Sequence, residues 1–199
     1  AENMFSMIHN RDVVMWNSML ASYADSGYSV KTLQAYMEMQ KQRVVPDQHT
    51  FVISLQACCM LDVKRNWKLC KSILLDIGEA LFLDAHRIGF ACNSFIENTA
   101  INLYGICGNI SKAEKIFQEM HDRKDISWNA MMSAYSQNGR LKDACYVFGQ
   151  MQEEAILPNN VTFLSILNAC AKDPSRTGLK KGSHIHACVM QPEIDVQNA

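Results

Sequence analysis

The feature that most constrains this chain is an internal duplication. Offset by 112 residues, the sequence matches itself in blocks. Ala1, Glu2, Phe5, His9 and Arg11 return as Ala113, Glu114, Phe117, His121 and Arg123. Trp16, Asn17, Met19, Tyr23 and Gly27 return as Trp128, Asn129, Met131, Tyr135 and Gly139. Met39, Gln40 and Pro46 return as Met151, Gln152 and Pro158, and Thr50, Phe51, Leu55, Ala57 and Cys58 as Thr162, Phe163, Leu167, Ala169 and Cys170. Chance would give agreement at only roughly one position in twenty. A chain of 199 residues has room for about five or six units of thirty-odd residues, so a repeat array is the first architecture to consider.

One unit, 13–47, shows what the pattern demands. Trp16, Met19, Leu20 and Tyr23 fall at helical spacing and form an apolar stripe. Gly27 suits a left-handed stop. Val30, Leu33, Met37 and Met39 predict the stripe of a second helix, and Pro46 ends the unit because no helix continues through it. Two short helices with one apolar face each cannot bury those faces alone, whereas stacking on neighbouring hairpins does so. The segment 125–159 repeats the plan with Trp128, Met131, Met132, Tyr135, Gly139 and Pro158. The expected fold is an all-α solenoid of antiparallel helix-turn-helix repeats.

Composition narrows the possibilities further. Hydrophobic residues make up 48% of the chain, and no run approaches the roughly 20 apolar residues of a membrane-spanning helix. A formal net charge of −1 is far from that of a strongly basic nucleic-acid binder, although a neutral chain can still carry a basic stripe. Eight cysteines form no small secreted framework. Cys58, Cys107, Cys145 and Cys170 lie among apolar residues and are expected to be reduced, buried thiols. The chain begins within what should be a second helix and stops as a new first helix begins. It is therefore expected to be part of a longer protein, with any targeting peptide or terminal domain outside it.

Several segments carry a family resemblance. They are Asp12-Val-Val-Met-Trp-Asn-Ser-Met-Leu-Ala-Ser-Tyr, Asp125-Ile-Ser-Trp-Asn-Ala-Met-Met-Ser-Ala-Tyr, Pro46-Asp-Gln-His-Thr-Phe, Pro158-Asn-Asn-Val-Thr-Phe and Asn98-Thr-Ala-Ile-Asn-Leu-Tyr-Gly-Ile-Cys-Gly. The sequence resembles the pentatricopeptide repeat family, specifically the plant type that alternates P, L and S units. The tetratricopeptide pattern fits less well, because its Trp-Leu-Gly-Tyr spacing within one helix is absent. The resemblance implies a partial S unit at 1–12, a P unit at 13–47 and an L unit at 48–93 with an insertion near 63–74. It further implies an S unit at 94–124, a P unit at 125–159, an irregular L unit at 160–193, and the start of another repeat at 194–199. The insertion carries Lys64, Arg65, Lys68 and Lys71, which a solvated extension of the helix or loop explains better than an RNA contact.

The same resemblance implies a right-handed superhelix whose concave face holds single-stranded RNA at about one base per repeat. Base-reading side chains are expected at Asn17 and Asp47 in the first P unit, a pair resembling those that prefer uridine. Asn129 and Asn159 in the second resemble pairs that accept a pyrimidine. Asn98 is the matching residue of the S unit, but its closing position falls on Lys124, a departure that leaves the base preference open. Val14, Phe95, Ile126 and Val161 would sandwich the bases. Val52 and Leu164 stand in the L units where the P units have Asn, which makes those units spacers. For the Asn residues the alternative reading is a cap or surface role, and for Asp47 and Asn159 a turn role.

Sharper chemistry finds little support. Cytidine deamination needs an H-x-E and a C-x-x-C arrangement around zinc; His184-Ile-His186 lacks the Glu, and no two cysteines stand three apart. The sequence has no Gly-rich phosphate loop and no nucleophile elbow. Asn109-Ile-Ser111 and Asn160-Val-Thr162 match the glycosylation acceptor by coincidence. The expectation is a non-enzymatic RNA-binding adaptor without metal, cofactor, membrane or small-molecule substrate. It would act in the mitochondrion or chloroplast, with RNA editing or processing carried out by another domain or protein. The alternative is a helical scaffold for protein partners, and a third reading is a degenerate gene fragment without independent function.

Overall fold

A computed structural model describes residues 11–61 and 67–173, with backbone alone for 67–70, together with Gly178, Lys180, Gly182 and Ser183. The sequence features at residues 1–10, the His184–His186 pair and the segment 194–199 lie outside the described residues.

The described residues form helices and no strands. In chain order they are α1 (Val13–Asp25), α2 (Ser29–Lys41), α3 (Gln48–Met60), α4 (Trp67–Ile88), α5 (Ser94–Cys107), α6 (Ile110–Glu119), α7 (Asp125–Gln137), α8 (Leu141–Glu153) and α9 (Asn160–Lys172). Hairpins arise because three turns share one device. Gly27, Gly108 and Gly139 adopt φ of 75°, 78° and 68°, a region that costs glycine nothing. The next residue then donates its amide back to the first helix: Tyr28 to the Tyr23 carbonyl, Asn109 to Tyr104 and Arg140 to Tyr135, at 2.8, 2.9 and 3.0 Å. This six-residue closure satisfies carbonyls that a helix end would otherwise orphan. The second helices α2 and α8 end differently. Arg43 and Ala155 take φ of 58° and 57°, a left-handed stop built from non-glycine residues a few positions before Pro46 and Pro158.

Packing runs in two layers. The helices α1, α3, α5, α7 and α9 lie side by side, each touching the next. The helices α2, α4, α6 and α8 each pack on the first helix of their own hairpin and on that of the following one. Trp16, Leu20, Phe51, Leu55, Ile96 and Leu103 lie in one apolar cluster, and Ile101, Trp128, Met131, Met132, Met151 and Ile166 in another. The helix α5 contributes to both, so the core is continuous along the array and each hairpin depends on its neighbours. Burying side chains of this size contributes about 1.5–3 kcal/mol apiece. The duplicated arginines find a packing role, with Arg11 5.7 Å from the Trp16 ring and Arg123 5.8 Å from that of Trp128.

Three expectations need correction. The apolar stripe read for α2 has the wrong phase: Val30 and Met37 are exposed, whereas Ser29, Thr32, Ala35, Tyr36 and Met39 are buried. Small side chains on that face let α2 approach both α1 and α3, which helical spacing of large apolar residues does not reveal. Tyr23 is half-buried rather than core, and so are Cys107 and Cys145, while Cys58 and Cys170 are buried as expected. The part of the insertion within the described residues lengthens α4 to 22 residues. Its Leu74 is buried, so that segment is not wholly solvated.

Two first helices, α5 and α7, approach closely at Gly105, where a Cβ would lie 2.7 Å from Ala134 Cβ and 2.9 Å from Ala134 Cα. The Asn138 amide spans the same contact, donating to the Gly105 and Ala134 carbonyls at 2.8 Å each. Gly105→Ala is expected to destabilise the fold. Overpacking costs about 1–3 kcal/mol against a helix-propensity gain of about 1 kcal/mol. Gly149→Ala, in open space on α8, is expected to raise stability through propensity alone. Urea unfolding of the two variants should therefore give shifts of opposite sign.

Candidate nucleic-acid interface

The N-terminal ends of the first helices form an edge of the array, and the sequence-derived candidates fall on it in register. Val14, Phe95, Ile126 and Val161 are each the second residue of their helix and are 65%, 58%, 55% and 56% exposed. Apolar side chains are thus exposed at one repeated position along the edge. Three residues further on, one turn along the same helix, come Asn17, Asn98 and Asn129, with Val52 and Leu164 at the corresponding places of α3 and α9. His49, exposed and second in α3, completes the outer row.

Asp47 and Asn159 are caps, and their capping role brings them to the asparagines. Asp47 precedes α3 and accepts the Thr50 amide at 2.9 Å. Asn159 precedes α9 and accepts the Val161 and Thr162 amides at 2.9 and 3.0 Å. Because adjacent first helices pack side by side, each cap lies against the preceding first helix. Asn17 donates to both Asp47 carboxylate oxygens, at 2.9 and 3.0 Å. Asn129 donates to Asn159 Oδ1 at 3.3 Å. The structure thus brings together Asn17 with Asp47 and Asn129 with Asn159, residues 30 positions apart in sequence. The cap reading and the pairing coexist.

Four further residues take part that sequence reasoning missed. Thr50 donates to Asn17 Oδ1 at 2.6 Å and Thr162 to Asn129 Oδ1 at 2.7 Å. Asp125 accepts from Asn159 Nδ2 at 2.8 Å. Asn93, the cap of α5, donates to Gln48 Oε1 at 2.9 Å. A hydroxyl three residues after an Asp or Asn cap is a capping-box signal that could have been read from sequence. The cross-hairpin contacts could not. The remaining candidate, Asn98, does not join a closing residue in this way. It is 7% exposed, and its Oδ1 is buried with no hydrogen-bond partner. Lys124 caps α7 without a side-chain bond and pairs with Asp122 at 3.2 Å.

The electrostatics of Asp47 follow from its bonds. Burial pushes its carboxyl up, but the Thr50 amide, the Asn17 amide, the Thr50 hydroxyl and nearby His49 outweigh burial and hold it below its ordinary value. The site therefore presents a carboxylate that accepts and never donates at neutral pH. Its contribution to stability is fully present above the unfolded-state value, near 4. That contribution is lost as pH falls through the lower folded value. Thermal unfolding between about pH 6 and pH 3 should show an acid destabilisation that is smaller in Asp47→Asn, which keeps the cap without the titrating proton.

The comparisons with known proteins agree with the helical-repeat fold. Family models for the PPR repeat family match residues 11–60 and 123–172, and one for the PPR repeat matches 98–124. A pentatricopeptide repeat-containing protein of Arabidopsis thaliana is 29% identical over 92% of the chain, which covers 20% of that protein. Two others from the same plant, named chloroplastic and mitochondrial, are 31% and 30% identical over 86% of the chain, which covers 20% and 29% of them. The chain thus spans between a fifth and a third of the length of these relatives. Among solved structures, PPR10 in complex with an 18-nt psaJ RNA element superposes with a TM-score of 0.68 at 19% identity, covering 91% of this chain and 27% of that one. The PPR domain of Arabidopsis thaliana protein-only RNase P 1 in complex with tRNA gives 0.65 at 15% identity, covering 92% of this chain and 93% of that one. With family models spanning more than half of its residues, the chain belongs to the pentatricopeptide repeat family.

Proposed function

We propose that this chain binds single-stranded RNA along the N-terminal edge of its first-helix layer. The reading rests on one observation above all, the pairing of Asn17 with Asp47 and of Asn129 with Asn159 beside a row of exposed apolar side chains. A splayed base can lie between successive members of the outer row, Val14, His49, Phe95, Ile126 and Val161, while its Watson–Crick edge meets the polar pair. The RNA-bound state named for PPR10 and for the RNase P domain supports the same reading.

The hydrogen-bonding inventory assigns preferences. Asp47 is acceptor-only, so it suits the ring N–H of uracil and repels the unprotonated ring nitrogen of cytosine. The Asn17 amide, with one N–H committed to Asp47, keeps another for a carbonyl of the same base. Asn159 offers an amide N–H beyond the one it gives Asp125, so it accommodates either pyrimidine. In the proposed P-L-S-P order, with one base per repeat, the two pyrimidines stand three nucleotides apart, and Val52 serves a spacer unit. At the organismal level, the role is that of an adaptor placing an organellar transcript for editing or processing by another domain or protein. The chloroplastic and mitochondrial relatives support that location.

A gel-shift titration tests the reading, using oligonucleotides with pyrimidines or purines at two positions three apart. Affinity should fall as salt rises. The Asn17→Ala and Asn129→Ala double variant should lose about 1–3 kcal/mol of discrimination at each read position. Binding that ignores both substitutions identifies a nonspecific electrostatic contact. No binding by folded protein moves the assignment to a scaffold for protein partners.

A further inference from the structure

An asparagine amide is nearly symmetric in shape and opposite in chemistry at its two ends, so a half-turn about its last bond exchanges donor for acceptor. Something must fix its direction if it is to discriminate bases. At the α1–α3 junction the Thr50 hydroxyl accepts the Asp47 amide at 3.1 Å and faces Asn17 Oδ1 at 2.6 Å and Asp47 Oδ1 at 3.0 Å. At the α7–α9 junction Thr162 accepts the Asn159 amide at 3.0 Å and faces Asn129 Oδ1 at 2.7 Å and Asn159 Oδ1 at 3.1 Å. A backbone N–H occupies the hydroxyl oxygen in both cases, which turns its single proton toward the shorter contact, the asparagine Oδ1.

The α5–α7 junction is a natural control. Ser127 stands where Thr50 and Thr162 stand, and Lys124 stands where the Asp or Asn cap would be. No capping box forms there, and both Asn98 Oδ1 and Ser127 Oγ are buried without a hydrogen-bond partner. A hydroxyl at this place engages the asparagine only where an Asp or Asn cap holds it.

We propose that Thr50 and Thr162 are specificity-determining positioning residues, directing Nδ2 of Asn17 and Asn129 toward the closing residue and the base. The position of Asn98 lacks this device and does not discriminate pyrimidines from purines. The inference rests on the RNA reading above. Thr50 and Thr162 touch no base themselves; they act through the asparagines.

The test measures affinities of the intact protein for RNAs differing at a single nucleotide. Facing Asn17, the uracil-to-cytosine preference should fall at least about fivefold in Thr50→Val, the loss expected for one hydrogen bond, and persist in Thr50→Ser. A merely structural role for Thr50 would weaken every RNA equally and leave that ratio intact. In the reverse direction, Lys124→Asn with Ser127→Thr should create a pyrimidine preference at the nucleotide facing Asn98. Unchanged selectivity in Thr50→Val, or no gain in the double variant, overturns the inference provided that Asn17→Ala abolishes selectivity. If Asn17→Ala itself changes nothing, the base-reading proposal fails instead.

Discussion

The cap of each first helix is the constraint on which the rest of this molecule depends. A helix begins with amides that have no internal partner, and Asp47 and Asn159 supply the missing acceptors. Side-by-side packing of first helices then sets each cap against the preceding hairpin. One carboxylate or amide thus ends a turn, starts a helix and completes a polar pair with a residue 30 positions earlier. Local stability and the proposed recognition surface share the same atoms.

This sharing holds the edge through contacts within the chain itself. Asn17 and Asn129 are held from two sides, by the cap and by a threonine hydroxyl, and each directly follows a buried tryptophan, Trp16 or Trp128. Sites on such elements hold their geometry better than sites on loops. The apolar row is different in kind. Val14, Phe95, Ile126 and Val161 are more than half exposed at one register position, the second residue of their helices.

Legibility in the sequence varied with the range of the interaction. The hairpins were legible because tryptophan spacing, glycine stops and prolines are local signals. The face of α2 was not, because Ser29, Thr32 and Ala35 are buried by their smallness between two neighbours rather than by hydrophobicity. Resemblance supplied Asn17, Asp47, Asn129 and Asn159 as candidates, and the structure places them in pairs. It leaves Asn98 without a closing partner and adds Thr50, Thr162, Asp125 and Asn93, whose contacts cross between hairpins. His49 stands in the same row but is not apolar, so apolar patterning does not mark it.

By itself the sequence determined a repeating helical array, and its family resemblance supplied the candidate recognition positions. The array follows from periodicity and turn chemistry, which act within about one repeat length, and from the duplication at an offset of 112 residues. Tertiary structure decided which atoms meet. Only the packing of one first helix on the next turns a cap into a partner, gives an asparagine amide its direction, and leaves Asn98 Oδ1 and Ser127 Oγ without a hydrogen-bond partner. Hydrogen bonds depend on distances of tenths of an ångström between residues remote in sequence, and no local pattern fixes those.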